Sequence, residues 1–140
     1  MQKYKLLASS IFLIITLLVF GLQPAVTRAQ GQLLDGKTFY GKIGEKGGKA
    51  YGNDEIIFSD GLFRSTDCDQ YGFNSAKYTT VMDKNKINFS ATTTSQTEGS
   101  IQWSGTLDGD NLTAIFFWHK KRKFWFDIKK NYWFKGKIKR

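Results

Sequence analysis

The chain has 140 residues, a formal net charge of +9, and only one cysteine, one histidine and one proline. Its length suits a single domain with one core. A lone cysteine excludes an intramolecular disulfide, and the shortage of cysteine and histidine argues against a metal site. We therefore expect a fold held together by packing alone, with no bound metal and no cofactor.

The first 29 residues have the pattern of a signal peptide. Lys3 and Lys5 precede an uncharged apolar run at residues 11–22, and Thr27-Arg28-Ala29 offers a small-residue cleavage site before Gln30. The alternative is an uncleaved membrane anchor at residues 6–22, which is at the short limit for a span. The sequence thus predicts an exported, periplasmic or extracellular domain at residues 30–140, attached to a membrane if the signal is not cleaved.

The first half of that domain reads as short strands. We expect a strand at residues 37–43, and then a loop at residues 44–52 that carries four glycines and is long enough to cover the mouth of a barrel. Residues 54–58 and 62–65 form a hairpin around the turn Ser59-Asp60-Gly61. Residues 66–76 lack a period of two and predict a turn or a short helix.

The second half continues the same pattern. Residues 77–82 and 86–94 form a hairpin, and so do residues 99–118 around the turn at residues 108–111. Two aromatic and basic strands follow at residues 123–128 and 132–138. Eight or nine antiparallel strands without a convincing helix predict an all-β meander barrel or a sandwich, and closure into a barrel hides the edges most completely.

The hairpin at residues 99–118 has two unlike faces. A period of two places eight residues on one fully apolar face: Ile101, Trp103, Gly105, Leu107, Leu112, Ala114, Phe116 and Trp118. The other face is mixed, since polar residues alternate there with Ile115 and Phe117. The first face is expected to point into the barrel, and the second needs a cover of its own.

The export signal, a first strand that opens with Gly36 and the aromatic Phe39, and the successive hairpins resemble the lipocalin-like (calycin) barrels. This resemblance implies a cavity for a small apolar ligand. The candidate cavity residues are Trp103, Gly105, Ala114, Phe116 and Trp118, because small residues among aromatic walls leave room. The alternative is that these aromatic side chains simply fill the core.

The charge is concentrated at the C-terminal end of the chain. From His119 onward the sequence has ten of the 21 Lys and Arg residues and a single acid, Asp127. Aromatic residues alternate with these cations, so the segment is a candidate surface for anionic lipid or polysaccharide. Nucleic acid is less favoured, because no nucleic-acid-binding motif is recognisable. The candidate residues are Lys120, Lys121, Arg122, Lys123, Trp125, Lys129, Lys130 and Trp133. The alternative is a pair of ordinary strands with aromatic side chains inward and lysines outward.

No catalytic residue is predicted. Cys68 and His119 are the only residues that could act as a nucleophile and its base, and nothing in the sequence brings them together. The leading hypothesis is therefore non-catalytic binding of a small apolar or amphipathic molecule. An adaptor for anionic surfaces is the second hypothesis, and a barrel isomerase or cyclase that uses Asp, Glu or Tyr is the third.

Overall fold

The computed structural model describes residues 33–140, which form a closed barrel of eight antiparallel strands. Each strand pairs with the next in the chain, and the last pairs with the first. The strands are β1 (Lys37–Glu45), β2 (Ala50–Ser59), β3 (Leu62–Ser65), β4 (Ala76–Asp83), β5 (Lys86–Ser95), β6 (Gly99–Asp108), β7 (Asn111–Lys120) and β8 (Ile128–Ile138). The predicted closed meander barrel is confirmed. The predicted signal peptide at residues 1–29, with its anchor alternative, lies outside the described residues.

The hairpin of β6 and β7 has the two faces predicted from its sequence. Trp103 pairs with Phe116, and Gly105 pairs with Ala114, all on the interior face. The side chain of Ile115, which alternates with them, is 68% exposed on the exterior. An alternation of apolar residues with a period of two was therefore sufficient to assign the inside and the outside of this hairpin.

The turns also follow from local chemistry. In the turn between β2 and β3, both Asp60 and Gly61 have positive φ, at 54° and 74°. A two-residue hairpin turn of type I′ requires this conformation, and Asp-Gly adopts it readily. The segment between β3 and β4 contains a short 3-10 helix, Asp69–Tyr71, as expected for a stretch without a period of two.

The strand predicted at residues 123–128 is wrong. The chain leaves β7 at Lys120, forms a loop at residues 121–127, and enters the single long strand β8 at Ile128. Phe124, Trp125 and Phe126 are all exposed in this loop. Three consecutive apolar residues do not mark one face of a strand as buried, and the sequence alone does not show whether such a run lies in a strand, as Ile115 and Phe116 do in β7, or in a loop.

The long loop predicted at residues 44–52 is also wrong. β1 continues to Glu45 and β2 begins at Ala50, so only residues 46–49 connect them. Gly44 lies within β1, and the ring of Trp133 on the neighbouring strand β8 packs over it. A Cβ added to Gly44 would lie 2.6 Å from Cζ2 of that ring. The glycine here serves close packing and not a flexible lid.

One end of the barrel is closed, and we call it the sealed end. It carries the turns between β2 and β3, β4 and β5, and β6 and β7. Leu34, just before β1, is fully buried there. The carboxylate of Asp35 accepts hydrogen bonds from the Gly61 backbone N–H at 3.0 Å and from the Tyr78 hydroxyl at 2.7 Å. These contacts hold the segment before β1 across the barrel.

The interior next to the sealed end is packed with aromatic rings. The ring of Phe58 lies at its centre, in edge contact with Phe39, Phe63, Tyr78 and Phe89 at centroid distances of 4.8 to 6.1 Å. Edge-to-face contact is a favourable arrangement of aromatic rings. The opposite end, which we call the open end, carries the connections at residues 46–49, 66–75, 96–98 and 121–127.

Candidate functional site

A cavity of about 220 Å³ lies at the open end of the barrel. The strands β1, β2, β6, β7 and β8 contribute to its wall, and the segment at residues 66–75 completes it. Its apolar lining includes Ile43, Phe73, Ile101, Phe116, Trp118 and the rings of Tyr51, Tyr71 and Tyr132. The barrel interior is therefore divided between a packed half and a half that contains a cavity.

A stack of three aromatic rings joins the packed core to the cavity. Trp103 stacks on Phe116 with ring centroids 4.1 Å apart, and Phe116 stacks on Tyr132 at 5.0 Å. The Trp103 indole is buried, and its Nε1–H donates to Thr93 Oγ1 at 3.2 Å. Because each ring supports the next, the aromatic side of the cavity has a fixed shape before any ligand enters.

The polar side of the cavity is built around Asp54, whose side chain on β2 is buried. Its carboxylate accepts hydrogen bonds from Ser65 Oγ at 2.6 Å and from the Asp67 backbone N–H at 2.9 Å. Burial raises the pKa of Asp54 above its usual range, although these hydrogen bonds oppose the shift. Asp54 thus both ties the segment after β3 to β2 and faces the cavity.

Cys68 also lines the cavity, and its chemistry argues against a thiol nucleophile. Burial, together with the nearby Asp54 and Asp67 carboxylates, raises the pKa of the Cys68 thiol to about 12, although a hydrogen bond with Ser65 opposes the shift. The thiol is therefore protonated at neutral pH. His119 follows the cavity residue Trp118 on β7, and its Nε2 lies 2.8 Å from Asp127 Oδ2. The structure shows no hydrogen bond between His119 and Cys68.

A third acidic side chain, Glu98, lies at the rim of the cavity in the connection between β5 and β6. Its backbone carbonyl accepts a hydrogen bond from Trp118 Nε1 at 2.6 Å. Its carboxylate lies 3.0 and 3.1 Å from Lys120 Nζ. These two contacts attach the connection to β7 and fix the orientation of the Trp118 indole.

Two of the five residues predicted to line a cavity do so, namely Phe116 and Trp118. The other three lie in the packed part of the interior. Trp103 is enclosed between Phe63 and Phe116. The space facing Gly105 is occupied, because a Cβ added there would lie 2.8 Å from the Ala114 Cβ and would collide with the Phe89 ring. Gly105 and Ala114 therefore do not leave a void.

The acidic residues of the cavity were not predicted from the sequence. One signal for Asp54 was present, since it alternates with Ile56 and Phe58 and so belongs to the inward face of β2. A carboxylate on an otherwise apolar face marks an unusual interior position. Asp67 and Glu98 lie in connections outside the strands, where the period of two does not apply, and only the closed barrel brings them together with Asp54.

The residues predicted as an anion surface separate into two places. Lys121, Arg122, Lys123 and Trp125 lie in the loop at residues 121–127, while Lys120, Lys129 and Lys130 lie on the strand ends beside it. Trp133 belongs instead to the barrel exterior, where it packs over Gly44 and lies under the Lys135 ammonium at 5.7 Å. The basic residues Lys120, Lys121, Arg122, Lys123, Lys129 and Lys130 therefore all lie at the open end of the barrel.

No protein-family model, curated protein or solved structure matches this chain significantly. Within residues 33–140, no helix has the length and apolar character needed to cross a membrane. In the same part of the chain, no group of three or more His, Cys, Asp or Glu side chains is arranged to hold a metal ion. The chain therefore forms an eight-stranded antiparallel barrel, which is compatible with a lipocalin-like fold.

Proposed function

We propose that this protein is an exported, lipocalin-like barrel that binds one small amphipathic molecule at its open end without transforming it. The main support for this proposal is the cavity of about 220 Å³, which lies next to a tightly packed aromatic core. Concave, mostly apolar sites with a few convergent polar groups are typical of small-molecule binding. The supporting side chains are already fixed by stacking and by hydrogen bonds.

The size of the cavity limits the ligand to a small molecule. An apolar cavity of about 150 Å³ is large enough for benzene. A cavity of about 220 Å³ therefore accommodates one ring with a short substituent, or an aliphatic chain of similar volume. Phe116 is stacked between Trp103 and Tyr132 and offers the cavity its edge, while Tyr132, the outer ring of the stack, offers a surface against which a ligand ring can pack.

The polar lining indicates what the other end of the ligand carries. Asp54, Asp67 and Glu98 line the cavity, and no lysine or arginine does, although Lys120 pairs with the Glu98 carboxylate at the rim. A ligand carboxylate or phosphate would be desolvated beside these acids at a high cost in free energy. An ammonium or hydroxyl group instead donates hydrogen bonds to them. The ligand class is therefore a small amphipathic amine or alcohol.

Binding without catalysis is favoured by the state of the two buried groups that could do chemistry. The Cys68 thiol is protonated at neutral pH, as described above. A raised pKa at Asp54 is a property that an isomerase or cyclase would need. However, both Asp54 oxygens already accept hydrogen bonds from the segment at residues 65–67, and this gives the carboxylate a structural role.

The test uses three probes that share a phenyl ring and differ in their polar end: 2-phenylethylamine, 2-phenylethanol and 3-phenylpropionate. Binding is followed by NMR chemical-shift changes, and native mass spectrometry of the purified protein checks for a copurified ligand. We expect the amine and the alcohol to bind, with shifts at Ile101 and Phe116, and the carboxylate not to bind.

Two substitutions on neighbouring residues of β6 give the matched comparison. Ile101→Phe adds a ring inside the cavity and should weaken binding by more than about tenfold, because it occupies the ligand's space. Gln102→Phe adds the same ring on the exposed face and should leave binding unchanged. Failure of all three probes together with a ligand-free native mass would overturn the binding function. Equal binding of the carboxylate would overturn only the proposed ligand class.

A further inference from the structure

The loop at residues 121–127, which we call the aromatic loop, exposes three consecutive large apolar side chains. The side chains of Phe124, Trp125 and Phe126 are 84%, 77% and 96% exposed, the highest values among the exposed large apolar residues of residues 33–140. Single apolar residues on a surface are ordinary, but a contiguous patch of this kind marks an interaction site.

The exposure of these rings is not needed for folding. All eight strands and the core form without any of the three side chains. The loop is nevertheless held at its base, because the Asp127 carboxylate lies 2.8 Å from His119 Nε2 and accepts a hydrogen bond from the Arg122 backbone N–H at 3.4 Å. The hydrogen bond from His119 lowers the pKa of Asp127. The rings are thus presented from an anchored base.

Cations surround the rings. Lys121, Arg122 and Lys123 precede them in the loop, and Lys129 follows on β8. None of these four side chains forms a salt bridge with another described residue, whereas Lys120 and Lys130 pair with Glu98 and Glu45. The only acid in the loop, Asp127, is already engaged by His119. The aromatic loop therefore combines apolar rings with uncompensated positive charge.

We propose that the aromatic loop docks the open end of the barrel onto an anionic phospholipid bilayer. The rings of Phe124, Trp125 and Phe126 enter the interface between headgroups and acyl chains, a region where aromatic side chains are favoured. Lys121, Arg122, Lys123 and Lys129 contact the anionic headgroups. This inference stands on the loop alone and is independent of what the cavity binds.

A bilayer fits this surface better than a polysaccharide or a protein groove. The three rings follow one another in a loop outside the strands, so no regular secondary structure holds them at the fixed spacing that a shaped groove would require. A fluid interface requires no fixed spacing between the rings. The ring exposure also exceeds what stacking on a sugar chain needs, because three almost fully exposed rings offer a large apolar area to remove from water.

The test is cosedimentation with vesicles, using the chain from Gln30 so that the apolar N-terminal segment is absent. This shortened chain keeps the eight strands and the core described above, which lie within residues 33–140. Vesicles of phosphatidylcholine alone are compared with vesicles that contain about 30% phosphatidylglycerol, at low and high salt. We expect partition into the anionic vesicles to be at least about tenfold stronger, and to weaken as salt rises.

Three variants separate the contributions. Phe124→Ser/Trp125→Ser/Phe126→Ser should lose most of the partition at any salt concentration, and Lys121→Glu/Arg122→Glu/Lys123→Glu should lose the preference for anionic lipid. The control, Val81→Ser/Met82→Ser, removes two half-exposed apolar side chains from β4 near the sealed end and should bind like the wild type. Circular dichroism confirms that each variant is folded.

A fourth variant locates the contact. Anionic vesicles should shift the tryptophan emission of the wild type to shorter wavelength, and Trp125→Phe should abolish that shift while vesicle binding remains. The proposal is overturned if the ring variant binds vesicles like the wild type, or if the control loses as much binding. It is also overturned if the rings are required for retention on heparin but not on vesicles, a result that would assign the loop to an acidic polysaccharide.

Discussion

Two glycines in the strands show how differently the barrel is packed from one position to another. Gly105 on β6 faces the filled interior, where an added Cβ would lie 2.7 Å from the Thr113 carbonyl oxygen and would collide with Phe89. Gly52 on β2 has ordinary room, since the nearest atom to an added Cβ is 3.8 Å away on Ile43. Neither glycine has a positive φ, so packing alone distinguishes them.

Gly105→Ala should therefore destabilise the protein by about 1–3 kcal/mol, because backbone and core rings must shift to admit the methyl group. Gly52→Ala should be neutral or slightly stabilising, since it restricts the unfolded chain without a clash. Urea unfolding followed by tryptophan fluorescence measures both. Equal effects of the two substitutions would contradict the packing described around Gly105.

The buried Asp54 carboxyl makes stability depend on pH. Burial raises its pKa in the folded protein above the value in the unfolded chain. The folded state therefore keeps a proton that the unfolded chain has already lost, and this contribution to stability declines as pH rises through the folded pKa. Burial also raises the pKa of Asp67, so both carboxyls make the protein less stable as the pH rises.

Asp54→Asn isolates the Asp54 contribution, because Asp67 is present in both proteins. As pH rises above about 4, the ordinary pKa of an aspartate, the unfolding free energy of the wild type should fall relative to that of Asp54→Asn until the folded-state carboxyl has lost its proton. Urea unfolding at a series of pH values measures the difference. Asp83→Asn, on an exposed residue of β4, is the control and should parallel the wild type. A constant difference between wild type and Asp54→Asn would exclude the titration of this carboxyl.

At the scale of the elements, the sequence predicted best where alternation and turn chemistry agreed. The hairpin of β6 and β7 combines one fully apolar face, built with a period of two, with a glycine at the turn, Gly109, whose φ is +59°. The turn at Asp60-Gly61 is specified in the same way. In both cases neighbouring residues of the sequence specify the hairpin. The pairing of β1 with β8, which closes the barrel, joins residues far apart in the sequence.

The predictions of secondary structure at residues 123–128 and 44–52 were wrong because they rested on residue composition and not on an alternation of apolar and polar residues. The aromatic loop is rich in residues that favour strands, but its three consecutive rings suit an interface better than a half-buried strand. Glycines at residues 44–52 suggested flexibility, while Gly44 instead serves the packing of Trp133. The acidic lining of the cavity could not be predicted, because Asp54, Asp67 and Glu98 come together only when the barrel closes.

At the scale of the whole molecule, the two ends of the barrel differ in structure: one is closed and packed, and the other contains the cavity. The sealed end is closed by Leu34 and by the hydrogen bonds of Asp35, and the core next to it is filled with aromatic rings. The cavity and the aromatic loop share the open end. If both proposals hold, a docked barrel directs its cavity toward the bilayer, and amphipathic molecules that partition into the lipid reach the site from there.

The pairing of β1 with β8 has a consequence for the order of the chain. Every strand neighbours the strands before and after it in a ring, and residues Phe39 and Ile138 pair near the ends of the described chain. The ring of neighbours is the same wherever the chain begins. The barrel should therefore tolerate circular permutation, as is common for domains whose termini are close together.

In such a permutant, a short Gly/Ser linker joins Arg140 to Leu33, and the new ends lie between Lys84 and Asn85 in the exposed turn of β4 and β5. We expect a cooperative barrel whose circular dichroism spectrum and probe binding match those of the parent. Opening the chain between Gln102 and Trp103 instead cuts the middle of β6 and should prevent folding. Equal behaviour of the two permutants would show that strand continuity at β6 is dispensable.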